Sequence, residues 1–210
     1  NLRPSLAAAV LHGIDRNRGS ALLAMLDTSM AARVLRQVTE ERRIALLAQL
    51  RTAKGMALRV ILTVPDNSAG AWVDADCLTL TGKTTAGGAR QRITAASGTA
   101  ERIVVLDDDM RPVSWVIPHD LLRAAPDTPI AQIAVPIPAL LTAATPLSAA
   151  LANVAWSRTP VLPVTTRLGV FIGMLHHERL RQVYEQDLAS RGADVASASG
   201  AMAHGYWQGV

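Results

Sequence analysis

The chain contains an internal repeat. Residues 101–122 read as strand, polar turn, strand and short helix, and residues 160–181 read the same way. Val105 matches Val164, Ser114 matches Gly173 and Asp120 matches Arg179, a constant offset of 59 residues (164−105, 173−114, 179−120). Self-similarity over this length means two copies of one supersecondary unit. Each copy is too small to bury its own apolar strands, so the two are expected to close against each other and leave a cleft between them.

Upstream of the repeats, apolar residues recur at three- to four-residue spacing over 6–11, 21–26, 26–35 and 39–50, which predicts short helices across residues 1–66. Asp27 or Thr28, and Thr39, are the candidate N-caps of the last two. Short helices on short connectors predict a small stacked superhelix. A Val-Pro-Asp-Asn-Ser-Ala-Gly turn over 64–70 then separates this part from the repeats. In the second repeat, 133–135 fit a short buried strand and 146–156 a helix opened by Thr145. From Asp187 onward Ala, Ser and Gly dominate, before Met202, Tyr206, Trp207 and Val210 bring back large apolar groups. A flexible connector followed by a docking element fits that change.

Composition narrows the function classes. Half of the 210 residues are hydrophobic and only 3% are aromatic, which predicts a globular chain with an aliphatic core. The net charge is +4, and Arg33, Arg36, Arg42, Arg43, Arg51, Lys54 and Arg59 carry much of the excess. Spread along helices, interrupted by Glu40 and Glu41 and without aromatic platforms, they read as solvated faces and not as a nucleic-acid surface. Residues 129–157 hold no charge and are long enough to span a bilayer, yet Pro129, Pro136, Pro138 and Pro146 punctuate them, so no membrane span is expected. The lone Cys77 and the absence of a charged-then-apolar leader favour a reducing cytoplasm. Gly82-Lys-Thr84 resembles part of a phosphate-binding loop, but Cys77 stands where that loop needs glycine. Asp74 and Asp76 would raise the Cys77 pKa, so an activated nucleophile is not expected and the chain reads as no enzyme.

The Val-Val-Asp-like strand ends, the hydrophobic-Gly step and the helix beginning near Asp120 make the two repeats resemble cystathionine-β-synthase-type (CBS) domains. The Leu-Asp-Thr-Ser-Met-Ala-Ala-Arg-Val-Leu segment, the Thr-Glu-Glu-Arg-Arg-Ile-Ala-Leu-Leu helix, the turn over 65–70 and Ala-Pro-Asp-Thr-Pro at 125–129 are similar to the cytosolic half of MgtE-type magnesium transporters. The likeness runs from about residue 21 to residue 186, and the order helical domain, turn, CBS pair is more specific than any one motif. It implies an α+β fold, an N-terminal all-α superhelical domain followed by a tandem CBS-domain pair. The implied divisions are a helical domain over 1–66, CBS domain 1 over 70–128, CBS domain 2 over 129–186 and a tail over 187–210. It also implies a homodimer through the CBS domains and a membrane transporter or other protein as partner.

By the same resemblance, the cleft binds an adenosine nucleotide (AMP, ADP or ATP), a carboxylate at the start of a repeat's second helix taking the ribose and a hydroxyl three residues earlier the phosphate. In the first repeat Asp120 holds the carboxylate position, while Ile117 holds the hydroxyl position and Pro118 removes a backbone donor. In the second, His176 and Arg179 stand at these places, and Arg179 suits an anion better than a ribose. Arg158 and Thr159 lie where family members line the cleft. Each has a plainer reading: Asp120 as the complement of its own helix dipole, His176 and His177 as surface or helix-entry residues, and Arg158 and Thr159 as solvated strand-edge residues.

The resemblance further implies Mg2+ sensing by acidic residues that meet across the interface of the helical and CBS domains, since magnesium requires hard oxygen ligands. Here the corresponding helix start reads Thr28, Ser29 and Met30, with Arg33 after it. Asp74 and Asp76 remain as metal candidates, whereas the run Asp107, Asp108 and Asp109 suits a strand-to-strand turn. Two functions follow: a cytosolic regulatory, ligand-sensing module, or a non-catalytic structural adaptor that binds a protein partner and no small molecule.

Overall fold

The computed structural model describes residues 4–50, 53–95 and 101–189. It opens with helices α1 (Pro4–Gly13), α2 (Arg16–Met25), α3 (Thr28–Arg36), α4 (Glu40–Gln49) and α5 (Ala53–Ile61). Asp15 and Asp27 start α2 and α3 by accepting from the Arg18 and Met30 backbone N–H groups, each at 2.9 Å. Asp27, not Thr28, is thus the N-cap. Thr39 precedes α4 without a side-chain cap bond, and Glu40 and Glu41 face the positive helix end instead. Each helix packs on the second one along, α1 on α3, α2 on α4 and α3 on α5, the stacked arrangement expected. Leu23, Leu35, Leu46, Leu58 and Ile61 are fully buried between them.

The basic residues of this unit do not simply form solvated faces. Arg42 donates to the Leu11 and Ile14 carbonyls, Lys54 to Ala24 and Leu26, Arg59 to Leu47, and Arg36 to Ile61 and Val64. These carbonyls end α1, α2, α4 and α5, where the backbone has no acceptor-satisfying turn of its own and the helix dipole is negative. Each cation therefore closes a helix on another segment of the unit, a role that charge spacing alone does not reveal.

The first repeat contains β1 (Thr79–Thr81), α6 (Ala86–Ala95), β2 (Ile103–Leu106), β3 (Pro112–Val116) and α7 (Pro118–Arg123). The second contains α8 (Ile130–Ile133), β4 (Leu141–Thr142), α9 (Leu147–Leu151), β5 (Val161–Thr165), β6 (Phe171–His176) and a helix over 177–189, α10. The sheets run β1-β2-β3 and β4-β5-β6, each with a parallel and then an antiparallel pair. Val105 pairs with Ser114 and Val164 with Gly173, and an irregularity follows Val105 and Val164 alike. Thus the sequence offset is also a register offset. Asp107 accepts from the Asp109 and Arg111 N–H groups at 2.9 and 2.8 Å, which makes the acidic run a turn.

Three local expectations change. Ile133 ends helix α8, and Val135 makes only an isolated bridge to Trp115. The stretch 146–156 is broken into α9 and a 3-10 helix, Val154–Ser157, because Asn153 accepts from Ala155 N–H and starts a new turn. Thr145 does not open α9: Pro146 takes that place, and the Thr145 hydroxyl meets that of Thr142 at 2.9 Å. Residues 187–189 continue α10, and the rest of the expected tail, with Trp207, lies outside the described residues. Among the described residues no helix is long and apolar enough to cross a membrane.

Packing sets the order in space. Ile103, Val105, Val116, Leu121 and Ile130 fill the first repeat's own core. The intervening residues Val104 and Leu106, with Trp115, face Val161 and Met174 of the second repeat and form the inter-repeat seam. The other face of the second repeat, with Leu162, Val164 and Leu175, is continuous with the helical core around Leu35 and Leu58. The helical unit therefore rests on the second repeat, not on the first repeat that follows it in sequence. The turn after α5 is pinned to the same repeat: Ala69 and Gly70 N–H donate to the Thr145 and Ala143 carbonyls at 2.7 and 2.9 Å. Farther on, Asp74 and Met174 exchange two backbone bonds of 2.7 and 2.8 Å.

Candidate functional site

The strand ends remote from the hairpin turns carry most of the expected ligand-binding residues, divided between the two repeats. In the first repeat Ile103 pairs with Val116, which places Arg102 and the start of α7 at one end of the sheet. Asp120 is half-buried in α7, and its N–H donates to the Ile117 carbonyl at 3.0 Å. Ile117 precedes the helix, so the hydroxyl position offers no polar side chain.

Arg102 is a residue that sequence reasoning missed. Its guanidinium carbon lies 5.5 Å from the Trp115 ring centroid, and its side chain donates to the Glu101 carbonyl at 2.8 Å. Its Nε is buried without a hydrogen-bond partner. The available sequence signal was an arginine placed directly before the apolar run of β2, in phase with the seam residues Val104 and Leu106.

At the matching end of the second repeat, most polar groups are occupied internally. Arg158 ends the 3-10 helix, its N–H donating to the Ala155 carbonyl at 2.9 Å, with its side chain exposed. Thr159 is buried, and its hydroxyl donates to the Val161 carbonyl at 3.1 Å and accepts from Val161 N–H at 3.4 Å. His176 ends β6 opposite Val161 and is half-buried. His177 enters α10, where its ring stacks on Trp156 with centroids 4.8 Å apart. Arg179 points toward the helical unit, with Nη2 4.0 Å from Asp27 Oδ1. The predicted set is thus split: Arg158, Thr159 and His176 share one strand end, Asp120 stands on the other repeat, and Arg179 sits at the junction with the helices.

The aspartates considered for magnesium lie at that junction too. Asp76 accepts from Lys54 Nζ at 3.0 Å and from the Thr28 hydroxyl at 3.3 Å. Asp74 Oδ1 accepts from Asp76 N–H at 2.9 Å, and among the described residues no three His, Cys, Asp or Glu side chains gather to hold a metal. This arrangement does not fit a magnesium site, because the charge of Asp76 already faces an ammonium where the ion would need free oxygens. Lys54 joins α5, the end of α2 and the linker, which is the role an interface cation would otherwise fill.

A cavity of about 150 Å³ lies between α5, the linker and the two hairpin turns, with Met56, Val60, Cys77, Leu106, Phe171 and Ile172 in its mainly apolar wall. Burial, with the nearby Asp74 charge, pushes the Cys77 thiol up to about 12. The thiol is therefore neutral near pH 7, as its acidic neighbours led us to expect. A thiol reagent such as Ellman's is expected to leave Cys77 unmodified at pH 8 and to react stoichiometrically once urea unfolds the chain. Because the folded pKa lies above the unfolded one, the thiol's contribution to stability is complete below about pH 9 and is lost as pH rises toward about 12. Rapid labelling of the folded protein at pH 8 would contradict this placement.

No protein-family model and no curated protein matches the sequence. Solved structures do. The soluble part of a magnesium transporter superposes with a TM-score of 0.67 at 17% identity, over 86% of this chain and 72% of that one. The cytosolic domain of the Mg2+ channel MgtE in complex with ATP gives 0.67 at 21% identity, over 87% and 76%. This chain has the MgtE cytosolic fold. The cystathionine beta-synthase pair domain of a protein from Shewanella oneidensis MR-1 gives 0.59 at 21%, over 79% of this chain and 98% of that one. The MgtE-like architecture is α+β, helical unit first and CBS pair second, as the resemblance implied.

Proposed function

We propose that the chain is a regulatory, ligand-sensing module that takes an adenosine nucleotide between its two CBS repeats and passes the binding event to its helical unit. The observation that carries this reading is the shared order and packing of helical unit, linker and CBS pair with an MgtE cytosolic domain seen in complex with ATP. The proposed units are residues 1–66, 70–128 and 129–186, with a tail from 187. Asp120 is the ribose-side residue, since a half-buried carboxylate has two acceptor oxygens for two hydroxyl donors. Arg158, Thr159 and His176 are assigned to the second repeat's end, with the side chain of Arg158 the most accessible of them, and Arg179 to the junction of that repeat with the helical unit. A non-catalytic role accords with the neutral, half-buried Cys77 thiol. A cytoplasmic setting, a CBS-mediated homodimer and a membrane transporter as partner complete the proposal.

Because the helical unit packs on the second repeat, a ligand that favours one arrangement of the repeats would bias the helices by population shift. Thermal denaturation with AMP, ADP and ATP, with and without millimolar magnesium, tests this directly. Nucleotide at 100 times its dissociation constant is expected to add about 2.7 kcal/mol. Asp120→Ala should keep the fold and weaken nucleotide binding about tenfold or more, as expected for losing bonds to a charged acceptor. No nucleotide shift in the wild type would leave the adaptor role as the better reading. Loss of folding on Asp120→Ala would make Asp120 a helix-stabilising residue.

A further inference from the structure

We infer that Arg102 is an anion-binding residue, the phosphate-recognising group of a single ligand site at the first repeat's end of the inter-repeat seam. The inference deepens the nucleotide reading and rests on it for the rest of the ligand, but the anion site stands on its own observations.

A buried donor without an acceptor is uncommon and calls for a ligand, a water or an ion. Arg102 Nε is such a donor. Other cations have their acceptors: Arg36, Arg42, Lys54 and Arg59 donate to carbonyls at helix ends, and Arg179 faces Asp27. Among the described residues no carboxylate pairs with Arg102, which is held instead by the Trp115 ring and by one bond to its neighbour's carbonyl. The cation–π contact holds the guanidinium over the ring while Nη1 is used on the Glu101 carbonyl, which leaves Nε and Nη2 as the pair of donors for a bidentate acceptor. A phosphate group presents that geometry.

The second repeat has no equivalent. At the same offset Arg102 is replaced by Val161, which is buried in the seam. The Thr159 hydroxyl is turned onto Val161, His177 is stacked on Trp156, and Arg179 is directed to the helical unit. One site per chain follows, at the end that also carries Asp120.

Isothermal titration of the full chain with ATP, adenosine and sodium pyrophosphate tests the inference, using wild type, Arg102→Met and Arg102→Lys. Met keeps an apolar stem over Trp115, and Lys keeps the charge but loses the fork. Wild type is expected to bind one ATP per chain, about tenfold or more tighter than adenosine. Arg102→Met should abolish that difference, leaving adenosine affinity unchanged, and Arg102→Lys should retain only part of it. ATP bound as tightly by Arg102→Met as by wild type would overturn the anion role while leaving the nucleotide reading intact. Two equivalent ATP sites per chain would overturn the one-sided arrangement. Pyrophosphate bound in an Arg102-dependent way, without ATP preference over it, would uphold the anion site and remove the nucleoside. Neither ligand bound by wild type would refute both. If Arg102→Met does not fold, an undiminished ATP affinity in folded Arg102→Lys would count against the fork.

Discussion

Replacing Gly173 by alanine is expected to destabilise the chain by about 3 kcal/mol or more, a large effect for adding one methyl group. Gly173 has φ of +150°, a region that side chains rarely adopt. A Cβ built there would lie 2.4 Å from the Asp74 carbonyl oxygen, which is backbone and cannot swing aside. The linker would have to move away, and the paired bonds between Asp74 and Met174, at 2.7 and 2.8 Å, would be lost with it. The matching residue of the first repeat, Ser114, already carries a side chain without a positive φ, although Val135 of the following connector exchanges backbone bonds with its neighbour Trp115 at 2.8 and 3.0 Å, so Ser114→Ala should stay within about 0.5 kcal/mol of wild type. Urea denaturation of the two variants measures the contrast. Equal stabilities would mean that the linker does not depend on the close approach at Gly173. Limited proteolysis should also cut Gly173→Ala sooner around residues 62–76, because the linker is what ties the helices to the second repeat.

At the junction of helices and linker, Lys54→Met should cost about 2–4 kcal/mol, and Asp76→Asn distinctly less, about 1 kcal/mol. The difference comes from exposure. Lys54 is only 8% exposed and serves the Ala24 and Leu26 carbonyls as well as Asp76, so its removal leaves several acceptors without their donor. The Asp76 side chain is 45% exposed, and water can replace much of what it loses. Asp76→Asn keeps an oxygen for the ammonium and for the Thr28 hydroxyl. Chemical denaturation of both single variants and the double variant gives the order and the coupling. A larger loss for Asp76→Asn would show that the carboxylate, and not the ammonium, anchors the junction. Millimolar magnesium is expected to leave the stability of wild type unchanged, since Lys54 already neutralises the carboxylate that the ion would need.

Several features were legible in the sequence because they depend on neighbours along the chain. Alternation of apolar residues and the matched turns located β2, β3, β5 and β6, and the offset of 59 reappears as register between Val105 and Ser114 and between Val164 and Gly173. Asp27 was legible as one of two N-cap candidates, since capping acts over three residues. The turn role of Asp107 and the neutral Cys77 could be read from adjacent side chains for the same reason. The break of the helix at Asn153 was not, because two short helical turns and one longer helix share the same apolar spacing there.

What tertiary structure alone decided concerns partners far apart in the chain. Nothing local to Arg179 indicates Asp27, and nothing local to Lys54 indicates Asp76 and the end of α2. Spacing therefore showed a set of cations without showing which helix ends they close, and the resemblance placed Arg179 with the cleft residues although the fold turns it to the helical unit. The same holds for Arg102, whose unmet Nε exists only once the sheet buries it beside Trp115. The repeat and its strands follow from short-range periodicity, which a sequence displays. The seating of the helices on the second repeat follows from burying Leu162, Val164 and Leu175 against Leu35 and Leu58, a choice among apolar faces that look alike until the chain has closed on itself.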